Sequence, residues 1–233
     1  RHHKLMHAST MFFMVTGEGS FAKVVSAVEL LPTDYILKPF TADNMLERIG
    51  RALDKRNAFV PVYALIDVGN ERAAIAACVE GASLYPRYAS DFLRLRAELH
   101  LLLGEAAEAE PIYASLYEAK AIGWARLGQA KTHFLQGDYP AAQAMLEGLL
   151  ENNKRFLDAY DWLARTHMAQ GKPELAQAAL SEAVALSPHA VRRLRRLGEA
   201  ALAADDIETA EKSLKLVVSK AKYSEFRDPE DHV

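Results

Sequence analysis

The chain has 233 residues, 50% of them hydrophobic and 25% charged, with a formal net charge of −3. This composition is ordinary for one large or two modest globular domains and excludes disorder along the whole chain. A balance so near neutral gives no overall field toward nucleic acid or an anionic membrane surface, so neither is an expected partner.

One cysteine, Cys78, rules out an internal disulfide. No apolar run reaches the roughly eighteen residues that a membrane-spanning helix requires. The stretch Arg1 to Ser9 is polar and basic, and the apolar run after it is too short for a signal-peptide core. The expected setting is a reducing cytoplasm. The chain starts on Arg rather than Met, which implies a fragment or a processed product. His2, His3 and His7 have no acidic or cysteine companions and read as solvated residues, not as a metal site.

Met11 to Val15 is a short apolar run that predicts a strand buried on both sides. Gly17, Glu18 and Gly19 then form a turn, without the rest of a phosphate-loop pattern. Helical spacing follows over Phe21 to Leu31, and Asp34 to Leu37 predicts a second strand. After Lys38, Pro39 and Phe40, Thr41 is placed to cap a helix from Ala42 to about Leu53. Strand, helix, strand, helix with short connections predicts parallel pairing in an α/β layer.

The segments FFMVTGEGS and DYILKPF resemble the fourth and fifth strands of a response-regulator receiver domain. The resemblance covers residues 1–54 and implies the C-terminal part of a flavodoxin-like fold. It also implies that Thr16 and Lys38 sense a phosphoryl group, that Tyr35 is the switch aromatic, and that the Lys38–Pro39 bond is cis. A hydroxyl and an ammonium suit that task because phosphate oxygens accept charge-assisted hydrogen bonds. The family's acidic pair and phosphate-accepting Asp belong to the part before Met11, and Arg1 to Thr10 contain no acid. No cofactor is therefore expected; Mg²⁺ would belong only to a complete receiver. The first strand would then lack its usual neighbour, so self-association through this half-domain is expected.

From Lys55 onward the chain repeats. Gly137 in HFLQGDYPAA and Gly171 in HMAQGKPELA lie 34 residues apart, each four residues after a His and five before an Ala, and Asp205 takes the same place 34 residues later. A helix pair needs a turn where Gly adopts positive φ, a small residue where the helices cross, and a stop after the second helix. Ala109, Ala142, Ala176 and Ala210 supply the crossing, and Leu146, Leu180 and Leu214 follow one helical turn later. Pro86 and Pro188 close units. The units run over residues 55–89, 90–122, 123–156, 157–190 and 191–224, leaving 225–233 as a tail. Pro61, inside the first expected helix, should kink or shorten it.

This pattern resembles the tetratricopeptide repeat, whose consensus is met nearly in full by Tyr160, Leu163, Ala164, His167, Gly171, Ala176, Leu180, Ala183 and Pro188. The expected fold class is mainly α: a tetratricopeptide-like α-α superhelix preceded by a partial α/β, receiver-like segment. First helices of such arrays line a groove, so the expected partner is a protein or peptide. The groove positions are Arg94, Trp124, Lys131, Phe134, Asp158, Asp161, Arg165, Arg192 and Arg195. Arg192, Arg193, Arg195 and Arg196 are expected to be a solvated face, with Leu194 and Leu197 buried; acceptance of an acidic segment or phosphate is the alternative. His133 and His167 read as core residues, and Cys78 as a small apolar side chain.

No nucleophile, metal-ligand or paired-carboxylate set can be assembled, so an enzyme is not expected. The function these readings point to is two-component signal transduction, with the repeats engaging a protein partner. The alternatives are a constitutive scaffold whose vestigial receiver half serves oligomerisation, and, more remotely, an RNA- or nucleotide-associated adaptor using the arginine cluster.

Overall fold

A computed structural model describes residues 7, 9–17 and 32–221. The helix expected over Phe21 to Leu31, residues His2 and His3, and the 225–233 tail lie outside the described residues. The chain divides into two compact units, residues 1–120 and 121–233.

The first unit opens on two short strands, β1 (Phe13–Thr16) and β2 (Asp34–Leu37), which pair in parallel with Thr16 opposite Leu37. Ile36 is buried, but Phe12 and Val15 are 46% and 38% exposed, so the first strand is not buried on both sides as expected. Among the described residues β1 pairs with β2 alone, which leaves its other edge without a ladder. The Lys38–Pro39 bond is cis, as the receiver resemblance implies.

Thr41 caps the next helix as expected: its hydroxyl accepts a hydrogen bond from the Asn44 N–H at 3.2 Å. That helix, α1 (Ala42–Asp67), does not stop near Leu53, and it runs unbroken through Pro61. Pro61 is exposed, and so is Asn57, whose carbonyl loses its helical donor, which lets water satisfy the freed carbonyl. Buried Ala58, Phe59 and Val62 hold this half of the helix in the repeat core. The helix expected over residues 42–53 and the first helix of the repeats are therefore one element.

The remaining helices alternate in pairs: α2 (Glu71–Leu84), then α3 (Ala89–Leu102) with α4 (Ala106–Lys120) in the first unit. The second unit holds α5 (Gly123–Leu135) with α6 (Tyr139–Asn152), α7 (Leu157–Ala169) with α8 (Pro173–Leu186), and α9 (Val191–Ala203) with α10 (Ile207–Ala221).

One turn is built five times. Gly69, Gly104, Gly137 and Gly171 have φ between 71° and 80°, and Asp205 takes φ 60° at the matching place. Each time the next residue's N–H reaches back five residues, as in Asp138 to His133 at 2.9 Å and Lys172 to His167 at 2.9 Å. This left-handed closure satisfies carbonyls that the helix end leaves open. The residue after the turn often starts the second helix: Asn70, Asp138 and Asp206 accept from the N–H groups of Ala73, Ala141 and Thr209. Each such cap is worth about 1 kcal/mol.

Five residues beyond each turn stands a buried alanine, at 74, 109, 142, 176 and 210, each at most 1% exposed. A small side chain there lets the paired helices approach. In the first unit Phe92 is fully buried and stacks on Phe59, with ring centroids 3.8 Å apart, over the bare backbone of Gly81. In the second unit Leu214 packs on Gly198 in the same way.

Candidate protein-binding surface

The second unit gathers several of the expected groove residues on α5 and α7, neighbouring first helices. On α5, Lys131 and Phe134 are three residues apart and share a face; Trp162 and Arg165 do the same on α7. Phe134 meets Trp162 edge-on, with centroids 5.4 Å apart at 78°, and Tyr139 also lies 5.4 Å from Phe134. The Lys131 ammonium stands 5.3 Å from the Trp162 ring centre, and the Arg165 guanidinium 4.0 Å from it and 5.3 Å from Phe134. An indole face attracts cations through its quadrupole, so two helices hold their charges on one ring. Partial burial, and next the neighbouring Arg196, push the Arg165 pKa below its ordinary value.

Beside this cluster Asp161 is held by α9. Arg193 donates to its two oxygens from Nε at 3.1 Å and Nη2 at 2.8 Å, and Arg196 stands 3.7 Å away. Arg193 is only 5% exposed, so it is not part of a solvated arginine face as expected. Its guanidinium is drawn inward because the planar fork matches a carboxylate already on the adjacent helix. Leu194 and Leu197 are buried as expected. The rings of Phe134, Tyr139 and Trp162 each stay partly exposed, next to the cations of Lys131, Arg165 and Arg196.

Trp124, Asp158 and Arg192 occupy the second position of α5, α7 and α9, with Trp124 and Asp158 not fully buried and Arg192 exposed. Arg195 is half-buried on α9. Arg94 belongs to the first unit, where it bonds Glu98 at 2.8 Å. Trp162, Arg193 and Arg196 join the site without being expected groove residues. Repeat spacing links two of them, since Arg196 lies 34 residues after Trp162, but no sequence signal singles out Arg193.

At the N-terminal segment, Thr16 and Lys38 end adjacent strands, and the Lys38 N–H donates to the Thr16 carbonyl at 2.8 Å. Thr16 and Tyr35 are half-buried, while Lys38 and Pro39 are exposed. Asp34 ties β2 to α1: Arg48 donates to its two oxygens and, at 3.1 Å, to the Tyr35 carbonyl. The hydrogen bond from Arg48 holds the Asp34 carboxyl below the usual range.

The histidines before the turns are structural. His100 and His133 bond Glu105 and Asp138, five residues on, at 2.8 and 3.2 Å. His167 is 5% exposed and has Lys172 at the matching place instead, and burial depresses its pKa. Cys78 is 1% exposed, and burial pushes its thiol up to about 11. No group of three or more metal-ligating side chains occurs among the described residues, and His7 bonds Asp67 at 3.1 Å. None of the described helices is long and apolar enough to cross a membrane.

Three models of the tetratricopeptide repeat match the sequence, over residues 91–115, 133–182 and 162–225. No curated protein matches the chain. Among solved structures it is similar to a thermophilic tetratricopeptide protein of Thermus thermophilus, with 17% identity and a TM-score of 0.60. That alignment covers 72% of this chain and 92% of the other. MamA of Desulfovibrio magneticus aligns at 17% identity and TM-score 0.58, over 73% of this chain and 96% of its own. YrrB, described as a tetratricopeptide protein with an unusual peptide-binding site, aligns at 13% identity and TM-score 0.50, over 72% of this chain and 87% of its own. Turn geometry, buried alanines, matched models and solved folds agree: this chain carries tetratricopeptide repeats.

Proposed function

We propose that the chain is a protein-interaction module whose second unit holds an acidic peptide segment with a large apolar side chain. The observation that carries this reading is the Trp162 ring approached by both Lys131 and Arg165, with Phe134 at its edge. The rings offer contact area to an apolar side chain, and the bordering cations pair with carboxylates on either side of it. Asp161 does not repel such a segment because Arg193 and Arg196 neutralise it. A similar fold with a peptide-binding site, that of YrrB, is in keeping with this use. Selection from a random peptide display library is expected to enrich sequences with Asp or Glu flanking an aromatic or Leu. Enrichment of basic or featureless sequences, or equal capture by the Trp162→Ala chain, would reject the reading.

We further propose that the N-terminal segment is the end of a receiver domain, so that the repeats are the output arm of a cytoplasmic two-component signalling protein. The support is geometric: Thr16 and Lys38 end adjacent parallel strands, Tyr35 sits beside Met14, and α1 joins Asp34 to the buried repeat residues Phe59 and Val62. The DNA upstream of Arg1 tests it, since an Asp ending a third strand is expected there. In the longer protein a phosphate mimic at that Asp should change peptide affinity; an unchanged affinity favours a constitutive scaffold. That second reading draws on Phe12, Val15 and Leu37, each more than a third exposed, as an oligomerisation edge. Light scattering decides it: the scaffold predicts a dimer that Val15→Ser converts to a monomer.

A further inference from the structure

We propose that a basic cleft in the first unit binds a nucleoside phosphate, independently of the peptide surface of the second unit. The cleft has a volume of about 690 Å³ and lies between the loops entering β1 and β2, helix α1, and the start of α3. That size lies within the range of roughly 300 to 1,000 Å³ found for small-molecule sites.

Its charge is unbalanced. Arg48, Arg51 and Lys55 recur at intervals of three and four residues and so share one face of α1, with Arg56 next to them. Arg87 adds a fifth cation from the turn before α3, against only two carboxylates in the lining. Those carboxylates are already taken. Arg48 donates to Asp34 at 2.6 Å, and the Lys55 ammonium bonds Asp91 at 2.6 Å.

Three guanidinium groups have donors to spare. Arg56 uses Nε on the Ser9 carbonyl at 3.0 Å, which fixes its fork at the cleft wall. Arg51 reaches Glu47 loosely, at 3.8 Å with both side chains more than half exposed. Arg87 lies 5.6 Å from the Tyr88 ring. A ligand with several anionic oxygens can take up these spare donors. Guanidinium forks match phosphate geometry bidentately, which makes phosphoryl oxygens the fitting anion. Tyr63, stacked on Phe59 with centroids 5.7 Å apart, and Tyr88, with Arg87 over its ring, also line the cleft, and a planar base would pack against the parts of these rings that border it.

The test titrates ADP, pyrophosphate and adenosine into the full chain by calorimetry at low salt. ADP is expected to bind saturably, pyrophosphate more weakly for want of a base, and adenosine not at all. Arg51→Gln and Arg87→Gln are exposed substitutions that keep the fold, as circular dichroism will verify, and each should weaken ADP about tenfold. Lys131→Gln, in the other unit, should leave ADP binding unchanged. The proposal is overturned if ADP does not saturate, if pyrophosphate binds as tightly, or if the two arginine variants bind like the parent.

Discussion

Replacing Asp161 by Ala removes the carboxylate that compensates Arg193 and leaves a guanidinium that is only 5% exposed. Taking one partner from a buried pair costs about 3–5 kcal/mol, because the remaining charge keeps its desolvation penalty. Asp161 retains 15% exposure and half-exposed Arg196 shares it, which places the loss near the lower end, about 3 kcal/mol. Both tryptophans, Trp124 and Trp162, lie in the second unit, so tryptophan fluorescence in urea reports that unit's unfolding selectively. With a slope of about 1.5 kcal/mol per molar urea, the midpoint should fall by roughly 2 M. The double variant Asp161→Leu with Arg193→Met removes both charges and should recover most of the loss. A single variant within about 0.5 kcal/mol of the parent, or a double variant no better than the single, would refute the pair's structural role.

The first unit yields a test of opposite signs. An alanine at Gly81 puts its Cβ against a Phe92 ring that Phe59 backs at 3.8 Å, so overpacking of about 1–3 kcal/mol outweighs a helix gain of about 1. Gly50→Ala meets nothing within 4 Å and should raise stability by up to about 1 kcal/mol. Thermal unfolding by circular dichroism compares them, and a gain at Gly81 contradicts the close packing of Phe92. Cys78, its thiol pushed up to about 11 by burial, should resist a thiol-reactive dye at mildly alkaline pH until the first unit opens in denaturant; rapid labelling of the folded chain contradicts this. His167 has its folded pKa depressed by burial, with Gln170, Glu147 and Lys172 facing it. Its charging is therefore resisted in the fold, so it costs no stability above the ordinary value of 6.5 and penalises the second unit as pH falls below it. His167→Gln should flatten that part of the stability profile between about pH 7 and 5, and an unchanged slope rejects the assignment.

The repeats are legible in the sequence because their signals are local and recurrent. A left-handed turn requires Gly or, once, Asp205, and the crossing alanine follows at fixed distance, so spacing alone places helix ends. The continuity of α1 is not legible. Pro61 ordinarily ends a helix, and only its outward position and the burial of Phe59 and Val62 keep the helix intact. Asp161 and Arg165 stand out as groove positions, but Arg193 reads as one more member of a solvated face. Four neighbouring arginines look alike in sequence, and which one turns inward depends on the carboxylate of another helix, 32 residues away. Trp162 escapes notice for a similar reason, since it is one more large side chain beside Leu163 until Lys131 and Phe134 are seen against it.

Trp124→Phe leaves Trp162 as the sole tryptophan, and its fluorescence reports directly on the aromatic surface it floors. Titrating a display-selected acidic peptide should then give a saturable spectral change. The change should weaken at least tenfold in the Lys131→Gln, Arg165→Gln double variant and decline steadily with salt, as screened charge pairs require. Binding that leaves Trp162 fluorescence unchanged and persists in the double variant would contradict the central claim that this ring and its two cations form the partner site.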